Sequence, residues 1–471
     1  MNPTRRQFFK CTGDLILGGA CLELVAMANP ATADADQPNE SSFDSGRAAS
    51  GSLRTCVREQ NGAVRLFVND QPVTGLALSH NGFYRADRVQ NAYDDFKAFS
   101  QAGIHKFRAW AMIYPRADGS LDTDDFDRQM ATLLEIDPQM LLMARILRRV
   151  PAWWADKHPE ELMVHRDAIT GEIVPPKPHK RVPAFSSTIW RRDMAGWVKA
   201  IVTYCEEKYS RHIFAYFYHG GVIEWAYSWN NLLSDYSRPQ RNGFRRWLRD
   251  RYEDDDNALR TAWRIEDIEF ENAEIPLDRT QASGDTAALL DPAKDQRIID
   301  YLTYHSEVAA DACVEVAGTF KRTLRSLGAE KIAGTWYGFD FWPAGHPAHV
   351  HNSGHHAIQK VLECPDIDFL GLIHSHQERT PGGIWLQHFA ASSITAHGKL
   401  IYEEEDTATH LAEEEMSWQQ VCPDLRRTIG VLTRNFAGTQ SVSGSEYWHD
   451  YSGEHWFGEP SVVGHISKLA A

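Results

Sequence analysis

Ile213-Phe-Ala-Tyr-Phe-Tyr218 runs directly into His219-Gly-Gly-Val-Ile-Glu224-Trp225, a short apolar stretch ending on a carboxylate. Seven other stretches of the same kind lie around it in the chain. Thr74–Leu78, His105–Trp110 and Met140–Ile146 precede it, and Ile332–Trp336, Ile367–Leu372, Lys399–Tyr402 and Ser441–Tyr447 follow. Between them stand amphipathic segments, predicted as helices over Asn91–Ala102, from Thr123 (a plausible N-cap) to Leu134, Trp190–Tyr209 and Asp295–Leu327 with Gly328 as C-terminal cap. Apolar strands alternating with helices argue for parallel βα units. Eight of them spread over the chain fit an α/β fold, a (β/α)8 TIM barrel with long loops after strands 3 and 4. A doubly wound open sheet is the alternative, but no Gly-x-Gly-x-x-Gly follows the first strand.

At 471 residues, with 43% hydrophobic and 24% charged residues, the chain can bury a large core. Fifteen Trp residues suit either core filling or a sugar site, because indole faces stack on pyranose C–H faces. The net charge of −15, without a basic run beyond the first residues, argues against nucleic-acid or anionic-membrane partners. Thr4-Arg5-Arg6-Gln7-Phe8-Phe9-Lys10, an apolar stretch from Leu15 to Ala28 and the small residues 31–35 resemble a twin-arginine export signal over residues 1–35. That signal implies the twin-arginine translocase as a partner and a periplasmic or extracellular destination, with lipidation at Cys21 as a lesser option. Residues 36–58, polar and rich in Ser and Gly, are expected to be a flexible linker, and 59–471 the barrel. No later stretch is long and apolar enough to span a membrane. Five scattered cysteines beyond the signal, without a Cys-x-x-Cys pair, indicate neither a disulfide framework nor a zinc site. No metal and no cofactor is expected, and no Gly-x-Ser-x-Gly supports acyl transfer.

In such a barrel, function gathers at the C-terminal ends of the strands. Arg108 falls there on the second strand, Trp153 and Trp154 after the third, Glu224 and Trp225 after the fourth, and Trp336 and Tyr337 at the fifth. His374 and His376 follow the sixth, Glu403-Glu404-Glu405-Asp406 ends the seventh, and Trp448 follows the eighth. Glycoside cleavage needs two carboxyl groups flanking the scissile bond, and carboxylates after strands four and seven would face one another across the mouth. Val222, Ile223 and Trp225 could raise the pKa of Glu224 for acid duty, while Arg108 could keep the other carboxylate ionised. Strand alternation places Leu400, Tyr402 and Glu404 on one face, and Ile401, Glu403 and Glu405 on the other.

Gly243–Tyr252 with Leu259 and Trp263, Gly354–Ala357 through Leu370, Arg379–Gly383, and Gly398–Thr407 with His410 resemble, in that order, segments of glycoside hydrolase family 42 β-galactosidases. These belong to a clan of retaining (β/α)8 glycosidases. The resemblance implies hydrolysis of β-galactoside-like oligosaccharides, with Glu224 as acid/base and Glu404 as nucleophile. Glu403 ranks second, because a one-residue slip reverses the faces. It also implies substrate contacts from Arg108, Trp153, Trp225, Trp336, Tyr337, His355, His376 and Trp448. Two departures stand out. Ile223 occupies the place where Asn usually precedes the acid/base. His376 stands where Tyr often hydrogen-bonds the nucleophile, so imidazole is expected to supply that bond. The resemblance ends soon after the eighth strand, short of the domains that often follow it, and carries no oligomeric state. A carbohydrate-binding barrel without catalysis, or a metal-dependent hydrolase using the tract His346–His356, are the alternatives.

Overall fold

A computed structural model describes residues 53–146, 149–167, 170–174, 181–219, 232–277, 290–339, 353–376, 379–413 and 419–470. The twin-arginine segment, Cys21, Glu224, Trp225, His346, His349 and His351 lie outside the described residues. Eight parallel strands close into a barrel: β1 (Ala77–His80), β2 (Lys106–Trp110), β3 (Leu141–Ile146), β4 (Ile213–Tyr218), β5 (Ile332–Trp336), β6 (Phe369–Ile373), β7 (Leu400–Glu405) and β8 (Ser445–Asp450). Each neighbours the next in sequence, and β8 pairs with β1 to close the ring. A helix follows every strand: α1 (Val89–Gln101), α2 (Asp124–Ile136), α3 (Thr188–Tyr209), α4 (Pro292–Ser326), α5 (Ile358–Leu362), α6 (Ala391–Ala396), α7 (Leu425–Ser441) and α8 (Pro460–Ala470). The (β/α)8 expectation is met.

The helix starts are set locally. Ser187, Asp291 and Asp424 each accept a backbone N–H in the first turn of α3, α4 and α7, and Pro292 opens α4 where its missing N–H costs nothing. Past the end of α4, Gly328 adopts φ +68°, the left-handed geometry that stops a helix.

Two barrel strands are displaced from expectation. β8 begins at Ser445 rather than Ser441, because α7 runs through Ser441 and Ser443 turns the chain at φ 58°. β1 runs over 77–80 rather than 74–78. The linker boundary at residue 58 also needs correction: Thr55–Gln60 is a strand, paired antiparallel with Ala63–Val68, which in turn pairs with Gln71–Val73. Its mostly polar side chains read as linker, but backbone pairing and anchoring fix it. Thr55 donates its hydroxyl to Phe214 O (2.6 Å) and accepts the Ile332 N–H (2.9 Å), tying the meander to the starts of β4 and β5.

The loops after β3 and β4 are long, as expected. They meet in a small sheet in which His165–Asp167 pairs with both Ile173–Val174 and Leu232–Leu233. Inside the barrel, large and small residues interlock: a Cβ on Gly334 would sit 2.4 Å from Phe369, and one on Gly371 2.4 Å from Phe217. These two glycines let the aromatic rings fill the lumen below the mouth.

Candidate active site

β7 carries Leu-Ile-Tyr-Glu-Glu-Glu, and its pleat sends alternate residues to opposite sides. Tyr402 and Glu404 point into the lumen. Glu404 is 6% exposed, and its Oε2 accepts two hydrogen bonds, from Arg108 Nη1 on β2 (3.2 Å) and from the Tyr447 hydroxyl on β8 (2.8 Å). Its other oxygen, Oε1, has no donor among the described residues and stays available for chemistry. Arg108 is held by the Ser79 hydroxyl (3.1 Å) and lies 4.0 Å above the Tyr447 ring. Burial keeps the Tyr447 hydroxyl far above its ordinary pKa, so it donates at all working pH. A carboxylate fixed by a guanidinium and a phenol, with one oxygen open, is suited to attack an electrophilic carbon.

Across the mouth, Arg145, the penultimate residue of β3, faces the lumen. Its guanidinium lies 4.0 Å over the Trp110 ring and meets His219 Nδ1. His219 is stacked between two indoles, 4.5 Å from Trp336 and 5.6 Å from Trp110, with near-parallel planes. His449, beside Ser79 at 3.0 Å, is pushed down to about 4 by burial and is neutral.

The outward face of the same strands has another environment. Glu403 accepts from Trp385 Nε1 (3.0 Å) and from the Thr439 hydroxyl of α7 (2.6 Å). Glu405 accepts from Asn435 Nδ2 of α7 (2.7 Å) and the Thr407 N–H (2.9 Å). Glu446 of β8 is 1% exposed, with the Thr439 hydroxyl nearby and no hydrogen bond of normal geometry to either carboxyl oxygen among the described residues. Burial pushes Glu403 up to about 8 and raises Glu405 and Glu446 as well, so every carboxyl on this face is harder to ionise than a free one. The register therefore puts Glu404, not Glu403, in the lumen.

The other expected contacts divide. Arg108 and Trp336 lie in the lumen with Glu404. His376 does not reach it by hydrogen bond: its Nε2 meets Asp406 at 3.2 Å, and the hydrogen bond expected from imidazole comes from Tyr447 instead. Burial would raise Asp406, but Arg379 outweighs it and holds that carboxylate well below its usual range. Trp448 points away from the mouth: it shares the outward face of β8 with Glu446, toward α1, 6.1 Å from Phe99. Trp153 is half-buried and donates to Pro115 O (2.8 Å), bracing the loop after β2. Tyr337 is fully buried, with its hydroxyl donating to Ser306 O of α4 (3.1 Å). His355 stacks on Tyr337 at 4.6 Å and accepts the Gly338 and Phe339 N–H groups at Nδ1 (3.0 and 3.2 Å), shaping the backbone after β5. Tyr447, Arg145, His219 and Trp110 were absent from the expected contacts, although an arginine inside the apolar run of β3 was a visible signal.

Among the described residues, His80, Asp95 and Asp450 are the group whose atoms approach metal-ligand spacing. His80 Nε2 lies 3.2 Å from each carboxylate, and its Nδ1 accepts the Gly82 N–H at 2.9 Å. That donor assigns the ring proton to Nε2, the nitrogen a metal would need bare. The trio is a hydrogen-bonded strut between β1, α1 and β8. No helix among the described residues is long and apolar enough to cross a membrane.

The glycoside hydrolase family 42 profile, described as beta-galactosidase, matches residues 83–345, more than half of the chain. No curated protein matches in a sequence search. Among solved structures, the catalytic domain of a beta-amylase from Paenibacillus polymyxa superimposes with a TM-score of 0.62 at 12% identity, over 85% of this chain and 100% of that one. A beta-galactosidase from Bacillus circulans sp. alkalophilus gives 0.54 at 15% identity, over 81% of this chain and 51% of that one. A GH42 beta-galactosidase from G. stearothermophilus, crystallised as a catalytic mutant, gives 0.51 at 13%, over 80% and 51%. The chain thus spans about half the length of the two beta-galactosidases, and at these identities the likeness is one of fold.

Proposed function

The chain belongs to glycoside hydrolase family 42, and from that membership we propose that it hydrolyses galactoside-like β-linked oligosaccharides with retention of configuration, using Glu404 as nucleophile and Glu224 as acid/base. That it is a glycoside hydrolase with a carbohydrate substrate follows from the family itself. The finer reading is supported above all by one observation. Glu404 alone of the three adjacent glutamates faces the lumen, with Oε2 tethered by Arg108 and Tyr447 and Oε1 open.

In this reading Oε1 attacks the anomeric carbon while Glu224 donates a proton to the departing glycosidic oxygen. A covalent glycosyl-enzyme results. Water, deprotonated by Glu224, then displaces Glu404 and restores both carboxyls. Export through the twin-arginine route, suggested by Thr4–Lys10, would bring the enzyme to an external oligosaccharide. An Arg5→Lys, Arg6→Lys double variant that still left the cytoplasm would end that part of the proposal.

Trapping with 2-deoxy-2-fluoro β-glycosides followed by peptide mass spectrometry tests the mechanism. A mass increase on the peptide containing Glu404, absent in Glu404→Gln, is expected. Turnover without any trapped adduct, giving the inverted anomer by NMR, would remove the retaining mechanism.

A further inference from the structure

Three arginines are buried among the described residues: Arg108, Arg145 and Arg379. Arg108 pairs with Glu404 and Arg379 with Asp406. Among the described residues Arg145, 5% exposed, pairs with no carboxylate, and its Nε has no hydrogen-bond partner. Buried charges are ordinarily paired, because a cation withdrawn from water without a counterion is costly. An indole face and an imidazole hold the guanidinium in place, and Glu404 and the Tyr84 hydroxyl attract it without forming an ion pair. Burial and the nearby Arg108 push its pKa down to about 9, so it is still a cation at neutral pH. The unmatched charge is local. The chain as a whole carries −15.

Its position makes the missing anion a matter of substrate. Arg145 is the penultimate residue of β3 and Glu404 the penultimate residue of β7. These strands lie four apart in a ring of eight, on opposite sides of the mouth. A pyranose spanning the mouth with its anomeric carbon at Glu404 would bring its C5 substituent within reach of Arg145 when the ring edge carrying C5 faces β3. The transition state of glycoside cleavage also gathers positive charge on the ring. An uncompensated guanidinium beside a neutral sugar would oppose that charge, whereas a carboxylate on the sugar cancels it.

We propose that the sugar seated against Glu404 is a β-linked uronic acid, and that Arg145 pairs with its C6 carboxylate as the specificity-determining residue. This rests on the glycosidase reading of Glu404 and narrows the galactoside-like substrate to its acid form. The bond broken is still the glycosidic bond, and the carboxylate takes no part in proton or electron transfer.

The test compares 4-nitrophenyl β-D-galacturonide and β-D-glucuronide with the corresponding galactoside and glucoside on the purified chain. The uronides should be preferred in kcat/KM by roughly 30-fold or more, the scale of a charge-assisted pair. Arg145→Gln should cut that preference by roughly the same factor. Calorimetric binding of galacturonate and methyl β-galactoside to wild type needs no turnover and no variant, and tighter binding of galacturonate is expected. Neutral glycosides hydrolysed through Glu404 with the uronides ignored would overturn the uronic-acid inference and leave the glycosidase reading standing. Selective galacturonate binding in a protein that hydrolyses none of the four substrates would do the reverse. Equal binding of the acid and neutral sugars would overturn the inference whatever the turnover.

Discussion

The two faces of β7 give the same side chain two fates. Glu404 looks into the lumen, where a guanidinium and a phenol donate to it and one oxygen remains open. Glu403 and Glu405, one residue to either side, look toward α7 with Glu446 beside them. There burial outweighs every donor and favours the protonated form. Neither face is exposed, so accessibility alone does not separate them. The supply of cationic and hydrogen-bonding partners does. A barrel strand thus places a candidate nucleophile and a neutral structural acid within one residue of each other, and pleat direction decides which is which.

The comparison breaks most sharply under charge-neutral substitution. Glu404→Gln should lower kcat on an aryl β-glycoside by roughly 10⁴-fold or more, the scale seen when a nucleophile is removed. Glu403→Gln should leave kcat within a few-fold, since an amide replaces a carboxyl that is already largely neutral. Equal losses in both variants would erase the distinction between the faces.

Stability against pH is the next largest effect. The unfolded chain releases the Glu403 proton near 4.5, while the folded chain holds it until about 8. The native state therefore binds more protons over that interval, and the stabilisation is complete below about 4.5 and lost as pH rises to about 8. Its full extent is about 5 kcal/mol on this shift. Melting curves from pH 5 to 9 should show the wild-type midpoint falling with pH and the Glu403→Gln midpoint falling less. Parallel curves would mean that Glu403 is already ionised in the fold.

Eight strands and their order were legible in the sequence because each barrel strand is an apolar run between amphipathic helices. β4 and β5 needed no adjustment. What one sequence does not carry is where a helix yields to the next strand. Ser441-Val-Ser-Gly444 alternates like a strand, yet α7 takes Ser441 and Ser443 turns the chain. β8 consequently starts later. Trp448 falls on its helix-facing side. The face of Glu404 could be read from alternation, but its partners could not, because Arg108 and Tyr447 arrive from strands about 300 and 40 residues away. His376 illustrates the same gap from the other side. Its sequence position suggested a bond to the nucleophile, and the nearby Asp406, held by Arg379, claims the imidazole instead.

Tyr447 offers the finest test of what the lumen does for Glu404. Its hydroxyl donates to the oxygen that Arg108 also binds, 2.8 Å away, and its ring lies beneath the guanidinium. A donor to a carboxylate favours the ionised form, so losing it should raise the pKa governing the acidic limb of the kcat/KM profile. Tyr447→Phe keeps the ring under Arg108 and removes only that donor. A loss of about tenfold in kcat with little change in KM is expected, on the scale of one hydrogen bond to a charged group. The acidic limb should move to higher pH at the same time. A residue that only packed the barrel would slow the enzyme, if at all, without moving that limb. An unshifted limb in a folded, weakened Tyr447→Phe would therefore assign the tethering of Glu404 to Arg108 alone.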